Sequence, residues 1–153
     1  MNELPLSMIS LRTFIVLLLC CSAYSLQAQE VALFGRDGKA VAYIAEDRDR
    51  TVYLWSGDAV AYLEPSAGLY DIWGFNGRHL GWLVNGTVYD DDGLQVGVTK
   101  RAANFFTEWE PYKPFKKAKP LKGIRRYMPY TPYWSLGWSD IRLADLLGYG
   151  ISE

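Results

Sequence analysis

Between residues 31 and 99 the apolar positions come in short bursts that halt at a glycine and start again. Four stretches, "ALFGRDGKAVAYI" (32–44), "TVYLWSGDAVAYL" (51–63), "DIWGFNGRHLGWL" (71–83) and "TVYDDDGLQVGVT" (87–99), align without a gap on Gly38, Gly57, Gly77 and Gly93. An aliphatic residue stands five before each glycine (Leu33, Val52, Ile72, Val88), and an aromatic four before it (Phe34, Tyr53, Trp73, Tyr89). Three after it is Val41, Val60, Leu80 or Val96, and four after it always a tiny residue: Ala42, Ala61, Gly81, Gly97. β-Branched and aromatic flanks of this length favour strands. Asp-Gly, Ser-Gly and Asn-Gly pairs supply the positive φ that a tight turn needs. The pattern therefore predicts a mainly β chain of four consecutive hairpins. With two-residue turns, the aromatic residue faces the aliphatic residue three after the glycine. The aliphatic residue five before then faces the tiny one. A bulged turn would flip the facing of one strand. A tiny residue repeated at one site marks a close backbone approach, so the hairpins are expected to meet around a shared axis.

After Lys100 the hairpin signal ends. Residues 102–109 are expected to form a short helix, and Pro111, Pro114, Pro120, Pro129 and Pro132 then impose an extended path. "SDIRLADLLGYG" (139–150) reads as a short helix with Ser139 as N-cap, an apolar side of Ile141, Leu143, Leu146 and Leu147, and a stop at Gly148. The Pro-rich segment 102–153 is expected to wrap an open face of the hairpin unit 29–101 as part of the same domain. Its aromatics, Phe105, Phe106, Tyr130, Tyr133, Trp134 and Trp138, would otherwise form an exposed apolar patch.

The first 28 residues have a different pattern. Arg12 precedes an uncharged apolar run, Phe14 to Cys21, followed by small and polar residues ending at Ala28. This is the three-part arrangement of a secretory signal peptide, and the run is too short for a stable membrane span. The alternative is a retained N-terminal anchor. Both cysteines, Cys20 and Cys21, fall in this segment, so the mature chain is expected to be exported without disulfides. Leu19 before Cys20, and Cys20 before Cys21, fit a lipidation site poorly.

The repeated aromatic-x-x-(Asp/Asn/Ser)-Gly-x-x-(Val/Leu)-(Ala/Gly) unit is clearest in "YDIWGFNGRHLGWLVNGTVYDDDGLQVG". Together with the tail "YMPYTPYWSLGWSDIRLADLL" it resembles the four-fold β-flower proteins, bacterial domains of unknown function. The resemblance covers much of residues 31 to 147. It implies four hairpins set like petals with pseudo-four-fold symmetry, and it implies no activity.

Composition narrows the picture further. Half of the 153 residues are hydrophobic and 22% are charged, which excludes wholesale disorder. A net charge of −1 argues against binding polyanions with the whole surface. The charge is nonetheless uneven: residues 30–99 carry eleven acids and five bases, residues 100–126 nine bases and two acids. The basic segment either serves an anionic partner or lies on the acidic hairpins and compensates them; the second is the commoner arrangement.

The only histidine, His79, cannot build a multi-His metal site, and it reads as a partly exposed strand residue. Asp90-Asp91-Asp92-Gly93 lacks the spaced ligands of a calcium loop and reads as a turn. No catalytic, cofactor-binding or metal-ligating residue is assigned, and neither a cofactor nor a nucleic-acid partner is expected. Trp55 and Phe75 stand two before their glycines, near the hairpin tips, where other copies carry Arg36 and Asp91. With His79 and Trp134 they are the candidate ligand-facing residues; Gly38, Gly57, Gly77 and Gly93 are the structural turns. The expected function is that of an exported, non-catalytic binding or scaffold module of the bacterial envelope, with a glycan, peptide or protein partner and no transmembrane span in the mature chain. Two alternatives are an enzyme assembled from scattered ionisable groups and a membrane-surface or anionic-partner binder using segment 100–126.

Overall fold

The computed structural model describes residues 30–153; the expected signal segment 1–28 lies outside the described residues. Eight antiparallel strands close into one barrel in chain order: β1 (Val31–Phe34), β2 (Ala40–Ile44), β3 (Thr51–Leu54), β4 (Ala59–Ser66), β5 (Leu69–Gly74), β6 (His79–Val84), β7 (Thr87–Tyr89) and β8 (Gln95–Thr99). Strand β8 pairs back onto β1 through Leu33–Thr99 and Phe34–Val98. Closure removes the sheet edges. The four repeats are the hairpins β1–β2, β3–β4, β5–β6 and β7–β8, whose turns all lie at one end of the barrel.

These turns differ from the two-residue expectation. Each is a three-residue loop: the amide of Gly38 donates to Gly35 O and that of Gly35 to Lys39 O, both at 3.0 Å, and the other copies repeat the pair. The repeat glycine takes the left-handed position, with φ between +76° and +90° in all four copies. Two-residue turns with two positive φ values, Ala67-Gly68 and Asn85-Gly86, instead join successive repeats at the opposite end. Just after each repeat turn the register slips by one. Leu33 opposes Ala42 as expected, but Phe34 opposes Ala40, and the same shift recurs at Tyr53–Ala59, Trp73–His79 and Tyr89–Gln95.

This bulge reverses one expected facing. The aliphatic residue three after the glycine does not lie opposite the aromatic residue; it turns inward beside the tiny residue. Val60, Leu80 and Val96 join Leu33, Val52, Ile72 and Val88 in the barrel interior. The tiny residues are crowded there as expected: a Cβ on Gly97 would meet the Leu143 side chain, and one on Gly81 would meet the Tyr89 carbonyl. An eight-stranded barrel is just wide enough to be filled by its own side chains, and this axis is filled rather than open.

Helix α1 (Leu143–Gly148) plugs the turn end, seating Leu143, Leu146 and Leu147 on the inward valines and leucines. It stops at Gly148 as predicted, but its start is not the predicted one. Its N-cap is Arg142, with no side-chain cap bond, while the Ser139 hydroxyl accepts from the Ile141 amide at 3.2 Å. Asn76 ties the far side of the plug, its side-chain amide donating to the Tyr149 and Ser152 carbonyls at 2.7 Å. Segment 102–109 contains no helix.

Candidate functional site

The bulge leaves the aromatic positions on the outside of the barrel. Neighbouring repeats pair them directly: Tyr43 with Tyr53, Tyr62 with Trp73, Trp82 with Tyr89, and Val98 with Phe34. The result is a girdle of outward rings, completed by Val98, that water would otherwise wet, yet all eight residues are buried. Segment 101–138 covers them. It runs past the four turns in order, and the amides of Glu108, Lys117, Arg126 and Ser135 donate to the carbonyls of Gly38, Gly57, Gly77 and Gly93 at 2.8 to 2.9 Å. These contacts are spaced by nine residues, one set per hairpin. The turn glycines serve a second purpose here. A Cβ on any of them would collide with the strap carbonyl of Phe106, Phe115, Ile124 or Tyr133.

A nine-residue repeat in the strap was thus missed from sequence. Its visible trace is the spacing of Pro111, Pro120 and Pro129. Proline suits the path because an extended strap has no internal ladder to lose and φ is already set. The strap side chains also sort with a period of three, the repeat of a polyproline II path.

One of the three faces points at the girdle and carries the bases. The Lys113 ammonium lies 4.8 Å from the Tyr43 ring and 5.0 Å from Trp55, and Lys122 lies 4.1 Å from Tyr62. The Arg125 guanidinium lies 5.2 Å from the Trp73 ring. Each is within cation–π range. Past the rings the charged ends reach acids of the barrel: Lys113 and Lys116 meet Glu30, Lys117 meets Asp58, Lys119 bridges Asp47 and Asp49, Lys122 meets Asp49, and Arg125 meets Glu64. Burial pushes the Glu30 and Asp47 carboxyls up; for Glu30 the two lysines, and for Asp47 the Thr51 amide and hydroxyl with Lys119, outweigh it and hold both below their ordinary values. Hydrogen bonds from Lys122 and Lys119 lower Asp49, and one from Lys117 lowers Asp58. The basic segment is therefore largely spent on the barrel. Trp134 completes this face, with its ring 4.8 Å from Tyr89 and 5.6 Å from Trp82.

The opposite face is apolar and points to solvent. Starting at Phe106, every third residue through Leu136 is a large hydrophobic, except Ala118, and each of these ten is at least 74% exposed. Trp109, Tyr112, Phe115 and Leu121 are among them. This inverts the usual arrangement of apolar residues inside and charges outside. An exposed apolar stripe of this length marks an interaction surface.

The four candidate residues do not converge. Phe75 is buried on Tyr62 under the strap, where its carbonyl accepts from the Gly123 amide at 2.6 Å. Trp55 is half-covered, edge-on to Tyr43 and beneath Lys113. His79 is buried, which corrects its expected partial exposure: the bulge turns it against Trp73 and Trp82, whose ring centres lie 5.0 and 4.5 Å away. Its Nε2 lies 3.1 Å from Asp71, while Nδ1 stands 3.6 Å from Asp91, too far for a hydrogen bond. The Asp90 carboxylate accepts from the amides of Asp92 and Leu94, the work of a turn residue. At the barrel end away from α1 is a mouth of about 410 Å³ lined by Val31, Ile44, Leu63, Leu83, Asp47 and Arg50. Of its two acids, Glu46 and Asp47, the second is already held by Thr51 and Lys119.

A family model described as "4-fold beta flower protein" matches residues 31–147. No curated protein and no solved structure matches the chain.

Proposed function

The chain belongs to the 4-fold β-flower family, and from that scaffold we propose that it is a non-catalytic binding module of the bacterial envelope whose working surface is the strap. The exposed apolar stripe from Phe106 to Leu136 carries this reading. A soluble chain gains nothing from holding ten large hydrophobics in water, so their regular exposure supports a partner that covers them. The barrel is the rigid frame that sets their spacing, one strap repeat per hairpin. Arg12 and the apolar run Phe14–Cys21 support export to the compartment where that partner resides. The candidate residues Trp55 and Phe75 act from beneath, and Trp134 from the strap's own inner face, to fix the strap from which the stripe projects. The test is fractionation of the native host. A variant with Ser at Phe106, Trp109, Tyr112, Phe115, Leu121 and Ile124 is expected to keep its fold and lose retention with the envelope fraction. Equal retention of the variant and the parent would overturn the assignment of the stripe as the binding surface.

A further inference from the structure

We propose that the first quarter of the strap, from Phe106 to Phe115, docks on the interfacial layer of a lipid bilayer. The proposal rests on the reading of the stripe as a binding surface and names the partner. Four observations point to lipid. First, the stripe is convex and one side chain wide: at about 3.1 Å of rise per residue its members stand about 9 Å apart. A rigid protein partner gains from close-packed patches with a buried centre, whereas a fluid layer closes around separated side chains. Second, this quarter presents Phe106, Trp109, Tyr112 and Phe115, from 83% to 93% exposed. Trp and Tyr place an apolar ring in the acyl boundary and a polar edge among the headgroups. Third, Lys100 lines one surface hollow with Trp109 and Tyr112, where the acid Glu110 is met by Lys113 at 3.7 Å, and an exposed base next to inserted rings favours anionic headgroups.

The fourth observation is where the N-terminal segment arrives. Glu30, the first described residue, is held by Lys113 on the inward face of this same quarter and by Lys116 immediately after it. The apolar run ends at Cys21, nine residues earlier. Nine residues span at most about 30 Å, so a chain still attached to a membrane by that run delivers this quarter, and not the opposite one, to the bilayer. After cleavage the same arc remains as the docking surface.

The experiment uses the full chain with vesicles of phosphatidylcholine and phosphatidylglycerol, the former brominated in its acyl chains. In the parent, tryptophan emission is expected to shift to the blue and to be quenched on binding. Trp109→Phe should remove most of both effects, because the other described tryptophans are buried or half-buried. The variant W109S/Y112S/F115S should bind at least about tenfold more weakly with an unchanged urea midpoint, as its substitutions lie in solvent. Ser at Leu121 and Ile124, in the next quarter, should weaken vesicle binding far less than the triple variant does. Parent emission unaltered on vesicles, or an equal loss from the second-quarter variant, would overturn the proposal. So would self-association that the triple variant abolishes without any lipid effect. If vesicle binding fails while envelope retention still depends on the stripe, the lipid assignment falls and the binding surface stands. If retention fails as well, both fall.

Discussion

Gly68 and Gly77 share a backbone conformation and differ only in their surroundings. Their φ values are +85° and +83°, and nothing lies within 4 Å of where a Cβ on Gly68 would sit, whereas one on Gly77 would strike the Ile124 carbonyl of the strap. Gly68→Ala isolates the cost of a left-handed alanine, about 1–2 kcal/mol. Gly77→Ala carries that same cost and must also push the strap outward. The displacement breaks the 2.8 Å bond from the Arg126 amide to the Gly77 carbonyl, about 1 kcal/mol. It also lifts the Arg125 guanidinium from its place 5.2 Å over Trp73, a further 0.5–1 kcal/mol or about that. The two variants should therefore differ by about 2 kcal/mol, with Gly77→Ala the less stable. With a urea slope of about 2 kcal/mol/M, the midpoints should separate by about 1 M. A strap that peels away alone would leave the barrel midpoint in place, so tryptic cleavage at Lys122 and Arg126 is measured in parallel and should be faster in Gly77→Ala. Equal midpoints together with equal cleavage rates would refute the claim that the repeat glycines are there for the strap as well as for the turn.

Two further outcomes follow from the core and from the charged inner face. Leu147 is fully buried where α1 plugs the barrel, so Leu147→Ala should cost about 2–5 kcal/mol in urea unfolding; a loss under about 1 kcal/mol would mean that the plug is not part of the core. Glu30, Asp47, Asp49 and Asp58 all sit below their ordinary values of 4.5 and 3.8. A depressed carboxylate stabilises above its unfolded value and loses that contribution as pH falls through its folded value. Amide exchange at Lys117 and Arg126, corrected for its intrinsic pH dependence, should therefore quicken below about pH 4 and be steady between about pH 5 and 8. Protection that persists at about pH 3 would show that these half-exposed pairs contribute little to holding the strap.

Much of the barrel was legible in the chain because its determinants are local. A glycine at a position requiring positive φ, preceded by Asp, Asn or Ser, announces a turn wherever it occurs. Four consecutive copies that align without a gap, with a tiny residue at one site, announce convergence. The turn class was not legible, because Asp-Gly and Asn-Gly suit both the two-residue turn and the three-residue turn with a left-handed third residue. Only the closed barrel distinguishes them. It needs Val60, Leu80 and Val96 facing inward beside the tiny residues, so that α1 has a floor to sit on, and a bulge in each hairpin achieves this. His79 follows from the same cause, since the bulge turns it beneath Trp73 and Trp82 instead of toward water.

The strap was legible as extended and aromatic, but its facing was not. Hydrophobicity argues for Phe106, Trp109 and Tyr112 inside and the lysines outside, and the structure holds the reverse. The reason lies in what the strap meets. The barrel wall there is a girdle of aromatic faces flanked by Glu30, Asp47, Asp49, Asp58 and Glu64, and a cation on an aliphatic stem satisfies both the rings and the acids at once. That wall comes from eight strands brought together by closure, so no window of the strap sequence contains it. By itself the chain determined where it would turn, where it would extend and which positions had to be small. Only the tertiary structure decided which way the extended residues would face, because their orientation depends on a surface assembled from distant parts of the chain.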